Sequence, residues 1–203
     1  MTGIRMRRAA RTGLVGLVIG SALLLAGCAN DPLADQYLSG DSKNYIAGDG
    51  TVTEITPDSR QSAVDFTGST AEGGTVSQDD YKGEVVVLNF WYASCAPCRV
   101  EAPSLAKLSA QYDGKGASFL GVNVRDQAPQ AISFEKTYGI EYPSVIDTDG
   151  ALQLAFSGEV SPNAVPTTLV IDKQGRVAAR ILGQVSEPSI LDTLIRDTIA
   201  ESS

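Results

Sequence analysis

Histidine is absent from the 203-residue chain. Its absence excludes Ser-His-Asp hydrolysis and the zinc, copper or haem sites that depend on an imidazole ligand. Aromatic residues make up only 6% of the sequence and charged residues 20%, whereas 43% of the residues are hydrophobic. This composition predicts one compact soluble domain plus a tail, rather than a disordered or fibrous protein.

Positive charge is scarce. The chain has 16 Lys and Arg residues against 24 Asp and Glu residues, a net charge of −8. Four of the positive charges lie in the first eleven residues: Arg5, Arg7, Arg8 and Arg11. The rest of the chain is therefore strongly acidic and lacks the basic surface that phosphate backbones require, so we expect no nucleic-acid partner.

The chain also lacks a long uninterrupted apolar run. Residues 14–26 form an apolar stretch of about 13 residues, short of the roughly 20 that span a bilayer. The stretch follows the basic segment and ends in Leu25-Ala26-Gly27-Cys28, which resembles a bacterial lipobox. We therefore predict a signal peptide over 1–27, a lipid on Cys28, a flexible tether over 28–57 and a folded domain over 58–203. An uncleaved anchor over the uncharged residues 12–30 is the alternative.

Cysteine is rare, with three residues in all. An odd number in an exported protein needs an explanation, because exported cysteines usually pair. If Cys28 carries a lipid, Cys95 and Cys98 remain as a pair and no thiol is left over.

Short apolar runs separated by turn residues follow position 58. They predict strands at 85–91, 117–124 and 144–146, and hairpins formed by 64–66 with 75–77 and by 167–171 with 176–182. Helical patterns lie between and after them at 97–112, 128–138, 151–156 and 188–200. This alternation predicts an α/β fold, a three-layer sandwich with a mixed central sheet.

The motif Cys95-Ala96-Pro97-Cys98 stands where a buried strand is predicted to end and a helix to begin. A Cys-x-x-Cys pair at such a junction is typical of thiol-disulfide redox sites. The first backbone N–H groups of a helix are unpaired and carry partial positive charge, which stabilises a thiolate. We therefore predict that Cys95, the earlier and more exposed cysteine, is the attacking thiol and that Cys98 closes the disulfide.

Three other interpretations of the motif are weaker. A purely structural disulfide across two residues closes a very small loop and restrains the unfolded chain little. A zinc site needs two further ligands, and the sequence offers neither histidine nor a second cysteine pair, so no metal is expected. Covalent haem attachment needs histidine directly after Cys98, where Arg99 stands.

The segment from Asn89 to Pro103, NFWYASCAPCRVEAP, resembles the active-site segment of the membrane-anchored extracytoplasmic thioredoxins of the TlpA/ResA/CcmG family. The resemblance extends over roughly 58–200 and includes Val165-Pro166-Thr167, which matches the cis-proline loop of that family. It implies a thioredoxin-like three-layer sandwich with a mixed sheet, an N-terminal hairpin and an inserted helix at 128–138.

The resemblance also implies roles for individual residues. Cys95 would be the nucleophile and Cys98 the resolving thiol. Glu101 matches the glutamate that handles a proton during exchange, although a solvated helix glutamate is the alternative. The substrate-binding set would be Pro166 as the cis-proline, its neighbour Val165, and Trp91, for which packing beside the site is the more ordinary role.

Two positions depart from the wider thioredoxin pattern. Ser94 precedes Cys95 where tryptophan is usual. The resemblance therefore does not predict the substrate surface at this position. Asn89 stands where cytoplasmic thioredoxins have a buried acid. A proton-handling carboxylate would therefore have to be Glu101.

The function implied by the resemblance is thiol-disulfide oxidoreductase, with apocytochrome c cysteines as the substrate to be reduced. Electrons would come from a CcdA- or DsbD-like membrane carrier, at the extracytoplasmic face of the bacterial membrane, with no cofactor beyond the redox-active disulfide. The alternatives are a thiol oxidase for exported proteins and a non-catalytic module that binds apocytochrome. A peroxidase of the peroxiredoxin type is less consistent, because Tyr92 occupies the place of its usual threonine.

Overall fold

The computed structural model describes residues 52–159 and 164–201. The described strands are β1 Val52–Glu54, β2 Thr67–Ser69, β3 Thr75–Ser77, β4 Val85–Trp91, β5 Ala117–Asn123, β6 Ser144–Ile146, β7 Thr167–Ile171 and β8 Val177–Leu182. The described α-helices are α1 Ala96–Tyr112, α2 Ala128–Tyr138, α3 Ala151–Ala155 and α4 Pro188–Ala200.

Six strands form one mixed sheet in the order β1-β8-β7-β4-β5-β6. β4, β5 and β6 run parallel, whereas β7 is antiparallel to both β4 and β8. All seven residues of β4 are buried, because this strand lies in the middle of the sheet with helices on both faces. Its apolar sequence is the pattern expected of such a strand.

Helices cover both faces of the sheet. On one face α1 and α4 contribute Leu105, Leu108, Leu191, Leu194 and Ile195 to the core. On the other face the core includes Phe66, Leu152 and Phe156. The predicted three-layer α/β sandwich with a mixed sheet is therefore confirmed.

The N-terminal hairpin is present, but its first strand begins later than predicted. Thr67 pairs with Ser77 and Ser69 with Thr75, so the strand covers 67–69 and not 64–66. Phe66 is 5% exposed and belongs to the core of the central sheet. Its burial under that sheet, rather than pairing in the hairpin, accounts for the apolar character of the predicted segment.

The predicted boundary between tether and domain is too late. β1 lies inside the predicted tether, yet Val52 pairs with Ile181 of β8 and its side chain is buried. Main-chain pairing needs no apolar pattern, so a strand of three residues escapes detection in a polar segment.

The predicted signal peptide, Cys28 and residues 28–51 of the predicted tether lie outside the described residues. Among residues 52–159 and 164–201, no helix has the length and apolar character needed to cross a bilayer.

Candidate active site

The two cysteines lie at the junction of β4 and α1. Cys95 is the residue before the helix and has an extended backbone, and Pro97 occupies the first turn, where a missing N–H costs no hydrogen bond. The Cys98 N–H donates to Cys95 Sγ at 3.2 Å. The helix N-terminus thus points a backbone donor directly at the sulfur that is predicted to attack, which favours a thiolate there.

Cys95 and Cys98 form a disulfide with a Cα–Cα distance of 5.3 Å. The predicted pairing of Cys95 with Cys98 is confirmed. The two residues are 3% and 2% exposed, so the predicted greater exposure of Cys95 is absent in this oxidised state. Both side chains of the disulfide belong to the same cluster of buried residues.

Glu101 lies one turn beyond Cys98 on α1 and is 1% exposed. Its Oε1 accepts a hydrogen bond from Asn89 Nδ2 at 2.9 Å, and its Oε2 accepts one from the Val185 N–H at 2.7 Å. Asn89 also donates to Thr168 Oγ1 on the neighbouring strand β7. The alternative of a solvated helix glutamate is therefore wrong for this residue.

Burial raises the pKa of Glu101 from 4.5 to about 7. The hydrogen bonds from Val185 and Asn89 act in the opposite direction but do not cancel the loss of hydration. Both partners are neutral, so the carboxyl can lose or gain a proton near neutral pH, as a group that transfers protons must. Its role in exchange stays a prediction.

The Val165–Pro166 peptide bond is cis, as predicted. Pro166 directly precedes β7, and its carbonyl accepts a hydrogen bond from the Gly183 N–H at 2.9 Å. Val165 packs against the cluster that contains both cysteines. Contact of this loop with a substrate stays a prediction.

Trp91 is 3% exposed and its ring lies 4.3 Å from the Phe134 ring of α2, measured between centroids. Both rings line a narrow crevice behind Cys98 that also includes Asn89 and Tyr142. The structure therefore supports packing for Trp91 and leaves it little surface for the predicted substrate contact.

No group of three or more Cys, Asp or Glu side chains among the described residues is arranged to hold a metal ion. The chemistry that the described site offers is two-electron thiol-disulfide exchange, with one buried carboxyl to exchange protons.

Two contacts at the site were missed from the sequence. Val185 supplies a backbone donor to Glu101, which no side-chain pattern reveals. Asp126 accepts a hydrogen bond from the N–H of Ala93, two residues before Cys95. The sequence does contain a local signal for Asp126. Asn123 ends a buried strand and Asp126 follows it by three residues, which is the spacing of a turn closed by an asparagine side chain.

The fold and the site together define a thioredoxin-like thiol-disulfide oxidoreductase. Comparison with known proteins agrees. The chain belongs to the AhpC/TSA family, whose sequence model matches residues 60–180. It is 34% identical over 130 residues to the thiol-disulfide oxidoreductase ResA of Bacillus subtilis (strain 168), covering 64% of this chain and 70% of the relative.

Two crystal structures are similar throughout the domain. A secreted thiol-disulfide isomerase from Corynebacterium glutamicum superimposes with a TM-score of 0.69 and 30% identity, over 79% of this chain and 99% of that one. A DsbF homologue from Corynebacterium diphtheriae gives a TM-score of 0.65 and 34% identity, over 76% and 98%. The fold expected from the active-site segment is thereby confirmed.

Proposed function

We propose that this oxidoreductase reduces the cysteines of apocytochrome c outside the cytoplasmic membrane, held there by a lipid on Cys28. The observation that carries the proposal is the burial of the Glu101 carboxyl one helical turn beyond the Cys-x-x-Cys pair. The loop with cis-Pro166 packs through Val165 against the cluster that contains both cysteines. This is the site that the resemblance to the TlpA/ResA/CcmG family implies, in which apocytochrome reduction is the commonest role. The ResA relatives, which are named thiol-disulfide oxidoreductases, support the class of reaction.

In the proposed reaction the Cys95 thiolate attacks one sulfur of the substrate disulfide. A Cys95–substrate disulfide forms, and the first substrate sulfur leaves as a thiolate that takes up a proton. The Cys98 thiol then passes its proton to the Glu101 carboxylate and attacks Cys95 Sγ. The second substrate thiolate leaves and is protonated, so two electrons and two protons move to the substrate.

The oxidised state seen in the structure is the product of that cycle. Two electrons must then return to the Cys95–Cys98 pair, and we assign their supply to a CcdA- or DsbD-like membrane dithiol. The lipid on Cys28 would keep the domain near that carrier.

The reduction potential of the Cys95–Cys98 couple tests the direction of the reaction. Titration of the full chain against dithiothreitol or glutathione should give a value near or below about −250 mV, on the thioredoxin side of the scale. A value of about −120 to −180 mV would overturn the proposal, because it belongs to oxidases and isomerases. The Cys28→Ser variant is the matched control, since it removes the third thiol from the titration.

A second candidate is oxidation or isomerisation of disulfides in exported proteins. The structural similarity to a secreted thiol-disulfide isomerase favours it. The same titration separates the two candidates. A non-catalytic apocytochrome-binding module would instead bind a Cys-x-x-Cys-His peptide equally well after replacement of both Cys95 and Cys98 by alanine.

The anchor needs its own test. Wild-type chain expressed in bacteria with radiolabelled palmitate should carry the label and sediment with membranes, and Cys28→Ser should do neither. Label on the Cys28→Ser variant would refute lipidation at this residue.

A further inference from the structure

The backbone of Ala93, between the end of β4 and Cys95, is hydrogen-bonded through both its N–H and its carbonyl. Its N–H donates to Asp126 Oδ2 at 2.5 Å, and its carbonyl accepts from Arg99 Nε at 2.8 Å. The next turn of chain is closed by the Cys95 N–H, which donates to the Tyr92 carbonyl at 3.1 Å. The loop that carries the attacking cysteine is therefore fixed by groups outside the Cys-x-x-Cys motif.

Asp126 is itself oriented by the neighbouring strand. Asn123, the fully buried last residue of β5, donates from Nδ2 to Asp126 Oδ2 at 3.0 Å. Its Oδ1 accepts from the N–H groups of Arg125 and Asp126. Asn123 pairs with Trp91 in the parallel β4–β5 ladder, so Asp126 connects this ladder to the loop before Cys95.

We propose that Asp126 is a positioning residue for Cys95. By holding the Ala93 N–H, its carboxylate keeps Cys95 Sγ over the Cys98 N–H in the reduced enzyme as well as in the disulfide. A hydrogen bond from a backbone N–H to a carboxylate is about twice as strong as one between neutral groups. Without it the loop would move, and the thiolate would lose its backbone donor for part of the time.

The direction of the change in the Cys95 pKa distinguishes positioning by hydrogen bonds from a direct effect of the Asp126 charge. A negative charge near Cys95 raises the pKa of its thiol, whereas a well-placed N–H donor lowers it. The other charged groups around the loop are Arg99 of α1, Arg125, whose guanidinium lies 3.9 Å from the Tyr92 ring centre, and buried Glu101. Removing the charge of Asp126 alone should therefore lower the pKa of Cys95, and removing its hydrogen bond should raise it.

Two substitutions divide these effects. Both hydrogen bonds to the side chain of Asp126 end on the same oxygen, so Asp126→Asn can keep them while it removes the charge. Asp126→Ala removes charge and hydrogen bonds together. The difference between the two variants therefore reports the hydrogen bonds at equal charge.

The measurement is the rate of Cys95 alkylation by iodoacetamide against pH, in the reduced full chain. Tryptic peptides separate the fragment with Cys95 and Cys98 from that with Cys28, and fragmentation separates Cys95 from Cys98. At pH 7 we expect alkylation of Cys95 to be about tenfold slower in Asp126→Ala than in Asp126→Asn, with a higher thiol pKa. Equal rates and profiles in the two variants would overturn the proposal.

Asp147 supplies a matched control. Its carboxylate accepts from the N–H groups of Leu152 and Gln153 at the start of α3, so it also orients a loop after a strand. Asp147→Ala should leave the Cys95 profile unchanged, and a shift like that of Asp126→Ala would indicate a general structural effect.

A further variant tests the proposal without removing the carboxylate. If Asp126→Ala does not fold, Asp126→Glu keeps the charge but displaces the carboxylate by one methylene. Slower alkylation than in the wild type is expected, and a wild-type profile would contradict positioning. The inference depends only on thiol-disulfide chemistry at Cys95, so a substrate other than apocytochrome would leave it intact.

Discussion

The central sheet buries a carboxyl group toward each of its two ends, and the surroundings of the two groups differ. Toward the disulfide end, Glu101 is 1% exposed and accepts hydrogen bonds only from the amide of Asn89 and the backbone of Val185. Neither of these partners carries a positive charge. Its pKa accordingly rises to about 7.

At the opposite end Asp172 follows β7, and its side chain is 2% exposed. Its Oδ2 lies 2.8 Å from Arg60 Nη1 and 2.8 Å from Arg176 Nε. Its Oδ1 accepts two backbone N–H groups, and Arg60 also binds Glu201 with both terminal nitrogens. These contacts tie the segment after β1, the β7–β8 turn and the end of α4 together.

A reactive buried acid differs from a structural one in the charge of the groups that contact it. Burial alone opposes the charged form of either group. At Asp172 two guanidinium groups offset this cost by ion pairing, so the cluster of Asp172, Arg60, Arg176 and Glu201 acts as a staple between three segments of the chain. Neutral donors compensate it only partly at Glu101, which is left able to titrate beside the disulfide.

The largest expected effect removes the chemistry at one end alone. Cys95→Ser should lower the turnover of a disulfide substrate by about 1,000-fold or more, because the attacking sulfur is lost. The ion pairs around Asp172 should be unaffected, so unfolding by denaturant should match that of the reduced wild type. Cys28→Ser is the control and should keep full turnover. Turnover by Cys95→Ser close to that of the wild type would refute the mechanism.

Asp172→Ala should have the next largest effect, on stability rather than activity. Removing one partner of a buried ion pair typically costs about 3–5 kcal/mol, since the remaining charge loses its compensation. Equilibrium unfolding in urea at pH 7 measures the loss. The control is Asp113→Ala, an exposed aspartate after α1, which should change the free energy of unfolding by less than about 0.5 kcal/mol. A similarly small change in Asp172→Ala would show that the staple contributes little.

The pH dependence of stability should identify Glu101. Its pKa is higher in the folded state, so its contribution to the free energy of unfolding is complete below about pH 4.5 and is lost as pH rises through about 7. A shift from 4.5 to about 7 corresponds to about 3 kcal/mol.

The variant Glu101→Gln should lose this slope, as measured by urea unfolding of oxidised protein at several pH values between 4 and 9. Its absolute stability is a poorer measure, because the glutamine NH₂ would face Asn89 or the Val185 N–H. The same variant should slow release of the mixed disulfide. A slope equal to that of the wild type would assign the pH dependence to another group.

Arg60→Lys should have the smallest effect and tests the geometry of the staple. Lysine keeps the charge but cannot contact Ile55, Asp172 and Glu201 at once, as the guanidinium of Arg60 does. We expect a loss of about 1 kcal/mol in urea unfolding and an unchanged reduction potential. A changed potential would mean that the two ends of the sheet are coupled.

Much of the fold could be predicted from the sequence because its signals are local. The apolar run of β4 and the helical spacing of α1 place the boundary between them within one residue of the observed one. The first strand of the N-terminal hairpin was misplaced, since residues 64–66 and 67–69 are both short enough to fit an extended segment. Only the burial of Phe66 beneath the central sheet decides between them.

The redox chemistry could be predicted from local sequence. A Cys-x-x-Cys pair at a strand-to-helix junction needs only local structure to place one sulfur at the helix N-terminus. The tertiary structure alone decided the environment of Glu101, because Asn89 and Val185 approach it from a strand and a loop 12 and 84 residues away. It likewise decided that Asp126 meets Ala93, since strand pairing brings those segments together. Hydrogen bonds and desolvation depend on distance in space, which the order of residues does not specify.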